Sequence, residues 1–225
     1  MAASGSVRYY SRTGPDGDDF QCDPFVQPQG EHKATIVWLH DKDDYYFDSV
    51  KFAKTLNLEN VRWICPAMVY TNTSNYDFGC NIKRDSQETL DSAATLVASL
   101  FSREPPNVIK GVGGSGMGAV AALHFARNCA LGHYPMNPQL VVGIDGWLSI
   151  AGSLKSSIDA TVGAAARAAS QSILLAHETD VSDDRRLPYT CDEEVVVSLR
   201  EAGFGEVMFV PYLSLRRMVI RSLLA

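Results

Sequence analysis

Between Val108 and Cys129 the chain passes from a β-branched apolar run, through Gly113-Gly-Ser-Gly-Met-Gly118, into the alanine-rich stretch Ala119 to Cys129. The first part (Val108 to Val112) has the composition of a buried strand and the last that of a buried helix. The glycines between them must therefore turn the chain sharply at the strand's end. A strand that hands over to a helix in this way belongs to sheets whose strands run parallel and whose faces are covered by helices.

The rest of the sequence repeats the alternation. Strands are predicted at Ala34 to His40, Val61 to Cys65, Leu140 to Ile144, Ser172 to Ala176 and Glu206 to Val210. Helical spacing appears at Phe47, Val50, Phe52, Ala53 and Leu56, and again over Ala160 to Ala169 and Glu193 to Ala202. Asp85-x-x-Glu88 resembles a capping box and opens a helix with Leu90, Ala93, Ala94, Leu96, Val97 and Leu100 on its apolar face. Pro66 and Glu104-Pro-Pro-Asn107 act as stops, and residues 67–84 read as a long polar loop. The expectation is an α/β fold, a mostly parallel sheet with helices on both faces, over residues 31–225. A loose arm of Gly, Ser, Asp and Pro over residues 1–30 precedes it.

A chain of 225 residues, 46% of them apolar, buries enough surface to fold as one domain without staples. Its five cysteines (Cys22, Cys65, Cys80, Cys129, Cys191) are far apart and form no C-x-x-C pair, which argues against a zinc site and a disulfide framework. The net charge is -6, and Lys and Arg are scattered, so neither nucleic acid nor an anionic membrane surface is an expected partner. No apolar run reaches the roughly 18–20 residues of a membrane span. Met1 to Gly17 has no apolar leader segment, so the expected location is cytoplasmic.

In open parallel sheets, sites form at the carboxyl ends of the strands. The candidates are His40-Asp41-Lys42-Asp43, the glycine turn, the segment after His177 and whatever follows Val210. The turn lacks the G-K-[ST] ending of a phosphate loop. Gly111-Val-Gly113-Gly-Ser-Gly116 has the glycine spacing of a dinucleotide turn but follows two earlier strands, where that motif opens a domain. A nucleophile elbow accounts better for the small residues on either side of the turn. No cofactor and no metal is expected.

Several blocks, in order and at matching spacing from about residue 30 to about residue 212, carry a closer likeness. Ala34-Thr-Ile-Val-Trp-Leu-His40, Val61-Arg-Trp-Ile-Cys-Pro66, Gly111-Val-Gly-Gly114, Met117-Gly-Ala119, Val141-Val-Gly143, Gly146-Trp-Leu148 and Ile173-Leu-Leu-Ala-His177 resemble the plant acyl-protein thioesterase and carboxylesterase family. The likeness extends to a cereal group of carboxylesterase-like proteins, one of them described as inactive. The resemblance implies the α/β-hydrolase fold. It also implies a machinery of serine nucleophile, histidine base, orienting carboxylate and two backbone N–H donors for the oxyanion.

Laid on that pattern, the nucleophile slot falls on Gly116, which has no side chain to acylate. Arg217 takes the histidine slot, and an arginine cannot give up its proton near neutral pH. The triad acid falls on Asp183, with Asp180 as the fallback. Both oxyanion-loop glycines of the family are aspartates here. The oxyanion donors fall on the backbones of Lys42 and Met117, and the two neighbouring carboxylates are expected to oppose an anion there. His40 and His177 match family histidines beside the site and read as structural. Ser115 sits one residue early, and a one-residue slip in a strand sends a side chain to the other face.

These assignments imply a catalytically inactive carboxylesterase homologue. It would retain a residual groove for an acyl chain or a protein partner. The alternative is a weak or redirected hydrolase with Ser115 as nucleophile and an unrecognised base. A dinucleotide-binding oxidoreductase is a third reading.

Overall fold

The computed structural model describes residues 24–42, 44–68, 84–148, 151–178 and 189–212. In chain order the elements are β1 (Phe25–Val26), β2 (Ala34–Leu39), α1 (Tyr46–Leu56), β3 (Val61–Ile64), α2 (Arg84–Phe101) and β4 (Ile109–Ser115). They continue with α3 (Met117–Ala130), β5 (Leu140–Ile144), α4 (Ala151–Ala160), α5 (Ala164–Ala169), β6 (Ser172–Glu178), α6 (Tyr189–Glu201) and β7 (Val207–Tyr212). The strands form one sheet of order β1-β3-β2-β4-β5-β6-β7. Among the described residues only β1 runs antiparallel, pairing Phe25 with Ile64; every other neighbour pair is parallel. The carboxyl ends of β2 to β7 therefore lie along one edge of the sheet.

Three departures from the sequence reading have physical reasons. Part of the predicted arm is strand, because β1 docks on the edge of β3 and Cys65 N–H donates to Pro24 C=O at 2.7 Å. The helix predicted over Ala160 to Ala169 begins only at Ala164, after Gly163, whose φ of 73° lies in the left-handed region, and a separate helix, α4, ends at Ala160. The strand predicted to end at Val112 continues to Ser115, since Gly113 and Gly114 stay paired with Trp38 and Leu39 on one side and Val142 and Gly143 on the other. Residues 1–23 of the predicted arm and 69–83 of the predicted loop lie outside the described residues.

Small residues in β4 are demanded by its neighbours. The Trp38 ring lies over Gly113, where a Cβ would come within 2.7 Å of it. Trp38 in turn packs against Phe52 of α1, ring centroids 4.6 Å apart, and edge-on to Trp63 of β3. This face of the sheet is a separate apolar cluster from the one that α2, α3, α5 and α6 help to build on the other face.

Helix α3 is buried on nearly every side; all of its residues except Arg127 are buried. It lies across β4 and β5 with α2 and α5 against it. A helix enclosed in this way needs small side chains, which is why Gly118, Ala119, Ala121 and Ala122 make up most of its first half. Burial pushes the Cys129 thiol up to about 12, so it stays protonated and behaves as a small apolar residue.

The start of α3 is pressed onto the end of β2. A Cβ at Gly118 would collide with the backbone carbonyl of Leu39, and neither backbone moves without displacing strand or helix. Gly118→Ala is therefore expected to destabilise the fold by about 2 kcal/mol through overpacking. The measurement is the urea midpoint at unchanged m. A variant as stable as the parent would contradict so close an approach.

Candidate functional site

Two turns face each other at the carboxyl edge of the sheet, one after β4 and one after β2. Gly116 is the single residue between β4 and α3, with φ 52° and ψ -121°, a conformation that strains any side chain. Its N–H donates to Ile144 C=O at 2.9 Å, and its own carbonyl accepts from Ala119 and Val120, so both strand and helix hold the turn. Met117 follows as the first, buried residue of α3.

The turn after β2 places the Asp41 side chain in the space beside Gly116. A Cβ built on Gly116 would overlap the Asp41 carboxylate, Cγ and both oxygens alike. Asp41 Oδ1 accepts the Met117 N–H at 2.9 Å and the Lys42 N–H at 2.7 Å. One carboxylate oxygen thus gathers the two backbone donors that the sequence assigns to an oxyanion. It also sits at the amino end of a long helix, where negative charge is favoured. Such charge-assisted bonds contribute about 1.5–3 kcal/mol each when buried. Asp41 is half-buried, which brings them toward the lower figure.

His40 fixes the Asp41 backbone. Its Nε2 accepts the Met68 N–H at 2.9 Å, so Nδ1 carries the proton and donates to Asp41 C=O at 2.6 Å. That is the structural part the sequence assigns to His40. The assignment of the proton follows from the amide donor, which an imidazolium could not accept.

A second polar centre joins the ends of β5, β6 and β7. Asp145, in the left-handed region with φ 53°, accepts the Glu178 N–H through Oδ1 at 2.9 Å and the Tyr212 hydroxyl through Oδ2 at 2.6 Å. His177 Nδ1 lies 3.8 Å from the same carboxylate, and the imidazole is buried. Asp145 was not singled out by sequence. Its signal is the Asp-Gly pair after an apolar strand, since aspartate tolerates this backbone region better than most residues.

Ser115, the alternative nucleophile, is the last residue of β4 and is half-buried. Among the described residues no hydrogen bond joins it to a histidine or a carboxylate. Asp180, Asp183 and Arg217 lie outside the described residues. So does Asp43. Gly116, Met117, Lys42 and Ser115 come together at one corner, as their positions after β2 and β4 require. The Asp41 carboxylate, expected to oppose an anion from nearby, itself accepts the Lys42 and Met117 N–H groups. No group of His, Cys, Asp and Glu that could hold a metal ion occurs among the described residues.

Burial lowers the pKa of His40 and of His124 below the ordinary 6.5, outweighing the nearby carboxylates that raise it: Asp41, Asp44 and Asp48 for His40, and Asp91 for His124. The unfolded chain then binds protons that the folded chain does not. Stability should be full above about pH 6.5 and fall as the pH drops through the window below it. The urea midpoint is expected to decrease from about pH 7.5 to about pH 5.5, and His40→Gln should flatten that decrease. An unchanged slope in the variant would contradict a buried, neutral His40.

Among solved structures, acyl-protein thioesterase 2 of Zea mays matches with a TM-score of 0.73 at 33% identity, over 89% of this chain and 96% of that one. SOBER1 of Arabidopsis thaliana matches at 0.62 and 19% identity, over 84% of this chain and 93% of that one. A phospholipase/carboxylesterase from Dyadobacter fermentans matches at 0.60 and 17% identity, over 95% and 93%. The last two bear on the fold alone. No family profile matches the sequence, and no curated protein does.

Proposed function

This chain belongs to the acyl-protein thioesterase and carboxylesterase family of α/β-hydrolases, and we propose that it is a catalytically inactive member. In this reading Gly116 is the vestigial nucleophile position and Arg217 the vestigial base. Asp183, or Asp180, is the vestigial acid, and the Lys42 and Met117 backbones are the vestigial oxyanion donors. The observation that carries it is the turn at Gly116. The backbone has the strained shape of a nucleophile elbow, no side chain is present, and the Asp41 carboxylate fills the space a side chain would need.

Loss of the serine or of the histidine costs a triad enzyme on the order of a million-fold in turnover, and the losses do not add. What usually remains comes from the oxyanion donors and from binding. Here both donors are taken by Asp41 Oδ1. A substrate carbonyl would have to displace a carboxylate from them, which removes the residual electrostatic contribution as well. A role in binding, of an acyl chain or a protein partner at the carboxyl edge, is what remains.

Hydrolysis of p-nitrophenyl acetate by the purified chain is expected to match the buffer rate, with Ser115→Ala indistinguishable from the parent. No fluorophosphonate should label Ser115. Turnover abolished by Ser115→Ala would overturn the reading and identify Ser115 as a nucleophile.

A further inference from the structure

We infer that the backbone nest of Lys42 and Met117 is a carboxylate site whose resident ligand is the chain's own Asp41. This deepens the reading above, because it concerns the same corner of the sheet. It rests on hydrogen bonds and space rather than on any missing catalytic group.

Two amides from different turns converge on a single oxygen, at 2.7 and 2.9 Å, and one of those bonds spans 76 residues of sequence. Such a convergence selects an anion with an oxygen that accepts two donors. Asp41 meets the requirement because two other features let it in. His40 holds the Asp41 carbonyl through Nδ1–H, which sets the direction of the side chain. Position 116 has no Cβ, which leaves room for the carboxylate. A side chain at 116 and a carboxylate at 41 exclude one another, so the two positions act as one unit. The nest is closed to external anions while Asp41 is seated in it, and Asp41 provides the occupancy in cis at high effective concentration.

The ligand class follows from the side chain itself. Asp41→Gly removes one CH2COO- group, for which acetate is the free counterpart. In the full-length Asp41→Gly variant, acetate replacing chloride at constant ionic strength is expected to raise Tm in a saturable way. The shift should reach about 3 °C at roughly ten times the dissociation constant. The parent is expected to show no saturable shift over the same titration. Asp41→Asn, which keeps a carbonyl oxygen at the position of Oδ1, is expected to resemble the parent.

No acetate response in Asp41→Gly, or an equal response in the parent, would overturn the proposal. Should Asp41→Gly fail to fold, amide proton shifts in the parent and in Asp41→Asn decide the matter. The Lys42 and Met117 amides should both move upfield when the carboxylate becomes a neutral acceptor; unchanged shifts for the pair would overturn it. Hydrolysis is read in none of these measurements, so their failure leaves the proposed inactivity standing, and a finding of esterase activity leaves them to be judged on their own.

Discussion

The Asp41 carboxylate accepting the Lys42 and Met117 amides is the contact on which the character of this site depends. It joins the turn after β2 to the first residue of α3, and in the proposed reading it does so where a family enzyme would hold the developing charge of a substrate. A negative charge there stabilises the resting protein, because it accepts two backbone donors at the amino end of a helix. In the proposed reading the same charge opposes the differential stabilisation of a transition state on which acyl transfer relies.

That contact is available only because the sheet brings the two turns together. β2 and β4 are parallel neighbours in register from Ala34 with Ile109 to Leu39 with Gly114, so their carboxyl ends finish side by side. The close seating of α3 on Leu39, which allows no side chain at Gly118, brings the Met117 amide within reach. Trp38 takes the space above Gly113 and ties the same strand pair to α1. Further along the edge, Asp145 performs a comparable service for β5, β6 and β7, collecting the Glu178 amide and the Tyr212 hydroxyl. The edge is thus stapled by two aspartates, each accepting donors from another strand or helix.

Much of this was legible in the sequence, for reasons of local chemistry. Buried parallel strands are continuous β-branched runs, and β2, β5 and β6 were placed to within one or two residues on that ground. The sharp turn at Gly116 followed from glycine composition. The strand β1 is not legible because two residues carry no periodicity, and their strand pairing comes from the edge of β3. The break at Gly163 is not legible because the alanine run that follows it favours helix and Ala160 precedes it closely. The seating of Asp41 was not legible. Its sequence signal, an aspartate in place of a glycine, gives the charge but not the direction of the side chain, which depends on His40 before it and on an amide 76 residues later.

The most direct measurement is a double-mutant cycle on thermal stability with Gly116→Ser, Asp41→Gly and the pair. Each single change removes the same two hydrogen bonds, the first by evicting the carboxylate and the second by deleting it. The double variant is expected to lose clearly less stability than the sum of the singles, with a coupling of about 1–2 kcal/mol. Additive losses would mean that the carboxylate does not occupy the space beside Gly116, and the account of the site would be wrong.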